Sequence, residues 1–466
     1  MKNLLELVEP DGCTPGDPKD LQIAEILVGR EVIEELPALL RRLSAGGKWR
    51  SGPIAVVCDG NTRAAAGRQL EAALSAGGHH YSVCELAAAH DSAPEIHADE
   101  RMIGAALLAI PPETSLLISL GSGTITDIVR YVAFRLKTPF VAVATAPSVD
   151  GFTSSVAPIL IGGLKTTVET APPVAVLADP RILAQAPERL LAAGIGDMAG
   201  KLTARLDWII SSFINDEPDC EYISELVAGY VTRALEMDGR QAASEEGARD
   251  LFEGLVVSGL GITLVGSSRP ASGAEHHISH FLEMQSVRGN GPSLYHGEGV
   301  AVGTYIVASL YHRFVSRSFA EIESAVAAMR EADGARRSAE VAEERVELLR
   351  RLFGSSASTL EERYLATRPN VARRQLVLSR AKSSWSGITH AVAVHLPPPD
   401  RLAQSFRRTG VRFHPGEMAI SRDLLHAAVL CAKEVRPRYS LLTLLDEMGM
   451  LESEAEAVLD AVYRPA

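Results

Sequence analysis

Six short apolar runs follow one another between about residue 22 and residue 180: QIAEILVG, PIAVVCDG, HYSVCEL, SLLISLGSG, PFVAVATAPS and VAVLADP, separated by segments of helical spacing. Strands joined by helical crossovers run parallel, so this alternation predicts a parallel sheet covered by helices on both faces. Most of the runs are continuously apolar rather than alternating, as strands buried on both faces require. After Pro187 strand runs become scarce, and PERLLAAGIGDMAGKLTARLDWIISSF carries apolar residues at helical spacing. The expected architecture is an α/β domain over residues 1–185 and an all-α domain over residues 186–466. Within the second, FAEIESAVAAMREADGARRSAEVAEERVELLRRLF mixes charge with Ala and Leu and reads as exposed helices on the outside of a bundle.

Composition narrows the function classes. A hydrophobic content of 46% over 466 residues supplies a large core. A formal charge of -12 disfavours a general phosphate-backbone binder, so nucleic acid is not an expected partner. The start, MKNLLELVEPDGCTPGDPKD, has acidic residues and prolines where a secretory signal needs a basic flank and an apolar run, and no stretch reaches the length of a membrane span. A soluble cytoplasmic protein is expected. Cys13, Cys58, Cys84, Cys220 and Cys431 are scattered and never in a CxxC spacing, so neither a disulfide framework nor a thiolate zinc site is indicated.

The fourth apolar run leads directly into GSGTITD, residues 121–127, and then into a helical pattern. Glycines at a strand-to-helix turn allow close backbone approach, and the helix N-terminus offers free N–H groups to a pyrophosphate. The third glycine of the GxGxxG fingerprint is absent. Asp59, closing PIAVVCD, reads either as an acceptor for ribose hydroxyls or as an Asp-Gly turn. TAPSVDGFTS, residues 145–154, places small and hydroxyl residues at another carboxyl strand end, where ligands of open α/β sheets bind.

GAEHHISH, residues 273–280, uses three of the chain's 13 histidines. On a helix His276 and His280 share a face and His277 points away; the pair reads as metal or substrate ligands, or as a polar helix face or core histidines. Asp197 in GIGDMAGK, residues 194–201, reads as a helix cap or a ligand, and His296 stands before a glycine in YHGEGVAVGT, residues 295–304. Together the three segments offer one carboxylate and two imidazoles, a nitrogen and oxygen set suited to a divalent metal with an open position.

GSGTITD, TAPSVDGFTSS, GIGDMAGK, RPASGAEHHISHFLE and HGEGVAVGT, in that order, closely resemble the glycerol-1-phosphate dehydrogenase family, within the iron-dependent alcohol dehydrogenase and dehydroquinate synthase-like superfamily. The likeness covers most of residues 22–310 and returns weakly in HPGEMAISRDLLHAAVLCAKEVRPRYSLLTLLDEMGML. It implies a Rossmann-like dinucleotide-binding domain, a helical domain, and an active site in the cleft between them. By that resemblance Asp197, His276 and His296 hold the metal, Asp150, Asp197 and His280 contact substrate and carry the catalysis, and His277 is incidental. Cofactor contacts are implied for Asp59, Gly121, Ser122, Gly123, Thr124, Ile125, Thr145, Ala146, Pro147, Ser148 and Ser154.

Many members of the wider superfamily carry a further histidine ligand four residues after the aspartate, where this chain has Lys201. A protonated lysine cannot ligate, which leaves a three-ligand site; Lys201 then balances an anionic substrate or is a plain surface lysine. The chain is also long for the branch, with extra helical material between about 310 and 400.

The implied activity is metal-dependent, NAD(P)H-linked interconversion of dihydroxyacetone phosphate and sn-glycerol 1-phosphate, with zinc, nickel or iron as Lewis acid. A histidine of near-neutral pKa at His280, with Asp150, would relay the proton. Ser268 and Arg269 in GSSRPASG are candidate phosphate donors, or a polar turn before Pro270. Asp59 disfavours a 2′-phosphate on the cofactor, while Arg63 nearby offsets that repulsion. The alternatives are a dehydrogenase of glycerol or another unphosphorylated polyol, a dehydroquinate synthase-like lyase that keeps its NAD, and a non-catalytic protein that retains the fold. A homodimer is expected from base rates.

Overall fold

The computed structural model describes residues 2–7, 21–87, 96–332, 335–436 and 438–464. Its strands are β1 (Lys2–Asn3), β2 (Glu25–Val28), β3 (Ile54–Asp59), β4 (Tyr81–Leu86), β5 (Leu116–Gly121), β6 (Phe140–Ala144), β7 (Val156–Ile161), β8 (Leu164–Glu169) and β9 (Ala175–Ala178). Seven form one sheet in the order β1-β2-β9-β6-β5-β3-β4. All neighbours are parallel except β1, which lies antiparallel on the edge of β2. The six apolar runs of the sequence are the six parallel strands.

Burial on both faces explains the unbroken apolar character of β3, β5, β6 and β9, whereas the edge strand β4 is only partly buried. Ile54, Val56 and Cys58 pack with Leu36, Leu40 and Leu70 on one side of the sheet. Ala55 and Val57 face the other side, where the same core contains Ile128 and Val132 and continues into the helical half through Ile195, Phe252 and Phe281. From β3 the chain steps outward to β4, then crosses back to β5 on the opposite side of β3. Such a reversal opens a crevice beyond the carboxyl ends of the strands, and here Asp59 and Gly121 stand at its edges.

Helices α1 (Gly60–Ala76) and α2 (Gly123–Leu136) follow β3 and β5 directly. The antiparallel hairpin β7–β8 is an addition to the expected sheet, turning at Gly162 and Gly163 with φ of 58° and 76°. Positive φ at both turn residues matches the twist of a tight hairpin and suits glycine.

After Ala178 the described residues contain no further strand. The helices that matter for the site are α3 (Glu188–Asn215), α4 (Glu245–Val265), α5 (Ala274–Val287) and α6 (His296–Val315), with α3, α5 and α6 packed on one another. Their approach is close enough to require glycine. A Cβ on Gly297 would stand 1.7 Å from the carbonyl oxygen of Ala193, and one on Gly194 would stand 1.9 Å from that of Pro147. The first contact presses α6 onto α3; the second presses α3 onto the loop after β6.

The charged segment over 319–353 forms the helices Phe319–Ala332 and Ala335–Phe353, which are amphipathic rather than simply exposed: Ile322, Val326, Leu349 and Phe353 are buried. Cys58, Cys84, Cys220 and Cys431 are buried and not in disulfides, and Cys13 lies outside the described residues. No helix among the described residues is long and apolar enough to cross a membrane.

Candidate active site

Asp197 lies inside α3, well past its first turn, and is fully buried, so it is not the helix cap that its sequence position allowed. His276 occupies the first turn of α5 and His296 is the first residue of α6. The glycine-mediated crossing of α3 and α6 brings these segments together, and one ligand atom from each of Asp197, His276 and His296 lies within 4.8 Å of the others. His276 Nε2 is 3.4 Å from Asp197 Oδ1, and the His276 and His296 rings are 5.3 Å apart between centroids.

Two carboxylates missed in the sequence hold this arrangement. Glu275 Oε1 lies 2.8 Å from His276 Nδ1 and also accepts the Gly273 N–H at 2.6 Å, while Thr203 donates to Oε2 at 2.7 Å. With Nδ1 donating to Glu275, the lone pair of Nε2 is directed toward Asp197, the tautomer a metal needs. Asp207 accepts the Ala274 N–H at 2.7 Å, the Leu441 N–H at 2.8 Å and the Tyr311 hydroxyl at 2.6 Å, which pins the N-terminus of the histidine helix. Burial pushes the Asp207 carboxyl up to about 7, the Glu275 charge adding to the effect. The adjacent SGAEH motif was the only signal for Glu275; Asp207 had none.

Lys201 is buried rather than a surface lysine. Its ammonium lies 2.7 Å from Asp150 Oδ2 and 2.8 Å from Asp197 Oδ1, and it donates to the Ala271 carbonyl at 3.2 Å. Burial opposes that charge, but the two carboxylates outweigh it and hold the ammonium above its ordinary range. Burial likewise opposes the Asp197 carboxylate, which Lys201 and the histidines nevertheless keep well below the usual aspartate range. Burial drives His296 down to about 4 despite the opposing pull of Asp197, leaving a neutral imidazole. The residues present fit a divalent metal: an ionised carboxylate and two imidazoles converge from three segments, one already oriented by its neighbour.

The implied substrate residues adjoin this cluster. The Asp150 N–H donates to Asp197 Oδ2 at 2.9 Å, and Ser258 donates to Asp150 Oδ2 at 3.0 Å. His280 stands 5.7 Å from His296 and 6.1 Å from His276 between ring centroids. Burial, then the charge of Arg436, pushes His280 well below neutrality. This corrects the expectation of a near-neutral histidine: His280 is an uncharged donor and acceptor. His277 points into the core with neither ring nitrogen hydrogen-bonded among the described residues.

On the sheet side, Ser122 is the N-cap of α2 without making a side-chain cap, so the first-turn N–H groups of Gly123, Thr124 and Ile125 have no side-chain acceptor from it. Ser122 and Ser148 share a 2.5 Å hydroxyl contact, and the Thr145 N–H bonds the Gly121 carbonyl at 3.2 Å. Ala146 and Pro147 are buried beside them, Thr124 is exposed, and Ile125 turns into the core. Ser154 Oγ is 3.1 Å from both the N–H and the carbonyl of Val156, and is thus held by its own strand. Asp59 caps α1, Oδ1 accepting the Thr62 N–H at 2.8 Å. Arg63 is paired with Glu85 at 2.9 Å and Glu71 at 3.3 Å, so its charge is already engaged. Arg269 is likewise committed, donating to Glu217 Oε1 at 2.7 Å and to the Tyr439 carbonyl at 2.6 Å, and is not a free phosphate donor.

Known proteins share the fold of this chain and, in part, its sequence. The family model for iron-containing alcohol dehydrogenase matches residues 27–187. The NADH-dependent butanol dehydrogenase A of Thermotoga maritima shares the fold, with a TM-score of 0.57 over 92% of this chain and 96% of that one at 13% identity. A glycerol-1-phosphate dehydrogenase (NAD(P)+) of Pyrococcus furiosus is 35% identical over 62% of this chain and 78% of its own length. One from Geobacillus stearothermophilus is 36% identical over 93% of this chain and 95% of its own length, so much of the helical material between about 310 and 400 is not peculiar to this chain. Identity of that degree, sustained along nearly the whole of both proteins, places the chain in the glycerol-1-phosphate dehydrogenase family.

Proposed function

We propose that this chain interconverts dihydroxyacetone phosphate and sn-glycerol 1-phosphate with NAD(P)H, using one zinc, nickel or iron ion held by Asp197, His276 and His296. The observation that carries the reading is the convergence of this donor set with Asp150 and His280, on helices pressed against the loop that follows β6. Residues 1–185 are proposed as the dinucleotide-binding unit and residues 186–466 as the metal- and substrate-binding unit. When bound, the metal supplies Lewis acidity at the substrate carbonyl and the reduced dinucleotide supplies the hydride.

The protein's own part is alignment and charge. Lys201 stands 2.7 Å from Asp150 and 2.8 Å from Asp197, so one ammonium faces both carboxylates and keeps the buried Asp197 ionised. Asp150, oriented by Ser258 and by its own backbone bond to Asp197, accepts from a substrate hydroxyl. Neutral His280 donates at one ring nitrogen and accepts at the other, so it orients a hydroxyl and hands on the proton that completes the alcohol without storing charge. The Lys201 ammonium, fixed beside both carboxylates, favours negative charge developing on the substrate oxygen.

The test is to strip metal with a chelator, restore zinc, nickel or iron singly, and follow oxidation of NADH and NADPH with dihydroxyacetone phosphate, with glycerol oxidation in parallel. Metal-restored turnover on the phosphorylated substrate is expected. A folded, metal-reconstituted protein that oxidises neither cofactor, or one equally active on glycerol, overturns the assignment.

A further inference from the structure

We propose that Arg436 and Arg438, with the hydroxyls of Ser268, Ser272 and Thr167, form a clamp for the phosphate of the substrate. The inference rests on the dehydrogenase reading above and identifies which residues would recognise the phosphorylated end.

The two arginines flank Pro437 in the segment after the Arg422–Cys431 helix. Arg436 donates to Ser268 Oγ at 3.3 Å, to Ser272 Oγ at 3.4 Å and, from its other terminal nitrogen, to Thr167 Oγ1 on β8. Arg438 donates to the same Ser268 hydroxyl and to the Ser272 carbonyl at 3.4 Å. Among the described residues, neither guanidinium has an aspartate or glutamate partner in an ion pair. Glu217, whose charge acts on Arg438, is taken by Arg269.

Two half-buried guanidinium groups side by side without a counter-ion are costly, and such an arrangement persists where an anionic ligand completes it. The crowding is felt within the cluster: burial first, then Arg436 and Arg269, pushes Arg438 down to about 9. The hydroxyls have the matching polarity. Ser268, Ser272 and Thr167 accept guanidinium hydrogen bonds and donate to no acceptor among the described residues, so their protons are available to oxygen atoms of a ligand. Guanidinium forks and hydroxyl donors around one point suit a tetrahedral dianion.

Position ties the clamp to the reaction centre. Ser272 follows Ala271, whose carbonyl is bonded to Lys201, which in turn bonds Asp150 and Asp197. Thr167 is exposed, so the clamp opens to solvent at β8 and closes toward the metal ligands at buried Ser272.

The experiment uses the metal-loaded enzyme and Arg436→Met, Arg438→Met and the two Lys replacements. Steady-state kinetics with dihydroxyacetone phosphate and with dihydroxyacetone are set beside thermal melts titrated with inorganic phosphate, with NAD+ present to fill the dinucleotide site. Each Met variant is expected to raise KM for dihydroxyacetone phosphate by about a hundredfold, as loss of a charge-assisted fork should. KM for NADH should stay within about twofold, the rate on dihydroxyacetone should fall far less than that on the phosphorylated ketone, and the Lys variants should recover part of the loss. Phosphate should raise the melting temperature of the wild type and not of the Met variants. Equal phosphate stabilisation of wild type and both Met variants, or an unchanged KM for the phosphorylated substrate, overturns the clamp. A wild type that shows the phosphate-dependent melt but does not discriminate between the two ketones instead overturns the dehydrogenase reading.

Discussion

Lys201 Nζ lies 2.8 Å from Asp197 Oδ1, one helical turn away on α3, with both side chains buried. Removing one member of a buried pair leaves the other charge uncompensated, which costs about 3–5 kcal/mol. Lys201→Met is therefore expected to lower the stability of the metal-free protein by that amount in denaturant melts. The pH dependence has a definite sign. Asp197 is held below its ordinary range, so its contribution is present above the unfolded aspartate value and is lost as pH falls through the folded one. Without the ammonium, burial dominates and the carboxyl rises, so protons compete with the metal at higher pH. The acid limb of metal binding should move up by about 1–3 units in chelator-competition titrations; an unmoved limb would show that Lys201 does not control the ligand.

Glu275 accepts from His276 Nδ1 at 2.8 Å and is itself held by Gly273 and Thr203. Losing such an outer partner typically reduces metal affinity by about 10–100-fold. Glu275→Ala is expected to lose affinity in that range against a chromophoric chelator, and Glu275→Gln, which retains an acceptor oxygen, to lose less. Equal affinity in wild type and Glu275→Ala would assign the residue to packing alone.

The close crossing of α3 and α6 makes Gly297 a positioning residue for the histidine beside it. A methyl group there would lie 1.7 Å from the Ala193 carbonyl oxygen, so Gly297→Ala must part the helices and carry His296 away from Asp197. A displacement of about 1 Å at a reacting centre costs on the order of a hundredfold. We expect a loss of that size in kcat/KM together with weaker metal retention. A variant that keeps both would mean that the helix contact does not set the ligand geometry.

Local pattern carried the sheet well, because strands such as Ile54–Asp59 and Leu116–Gly121 are buried on both faces and their composition reports that directly. The β7–β8 hairpin escaped although Gly162–Gly163 is a strong turn signal, because its strands run on from the TAPSVDGFTS loop and are partly exposed. At the site, helical spacing placed His276 and His280 on one face, and spacing of four put Lys201 above Asp197, but burial of Lys201 depends on Asp150 and Ala271 from other segments. The same limit applies to Arg269, whose partner Glu217 is 52 residues away, and to Arg436, which meets Ser268 across 168 residues. Such partners belong to the tertiary fold and leave no local trace.

Cofactor preference follows from the carboxyl ends of β3 and β4. Asp59 closes β3, and Glu85 comes close enough that a Cβ on Gly60 would lie 3.5 Å from its Oε1. Arg63, the cation of this edge, is paired with Glu85 and Glu71. Two acids with their cation already engaged repel a 2′-phosphate and accept a 2′-hydroxyl, so NADH should give the higher kcat/KM. Asp59→Asn separates charge from structure, because asparagine caps a helix about as well as aspartate and α1 keeps its N-terminus. Together with Glu85→Gln, which leaves Arg63 paired with Glu71 alone, this change is expected to improve the NADPH to NADH ratio of kcat/KM by about tenfold for each charge removed. Thermal melts should be unchanged for Asp59→Asn. A wild type that favours NADPH, or variants whose ratio does not move, would place the 2′ position away from this edge.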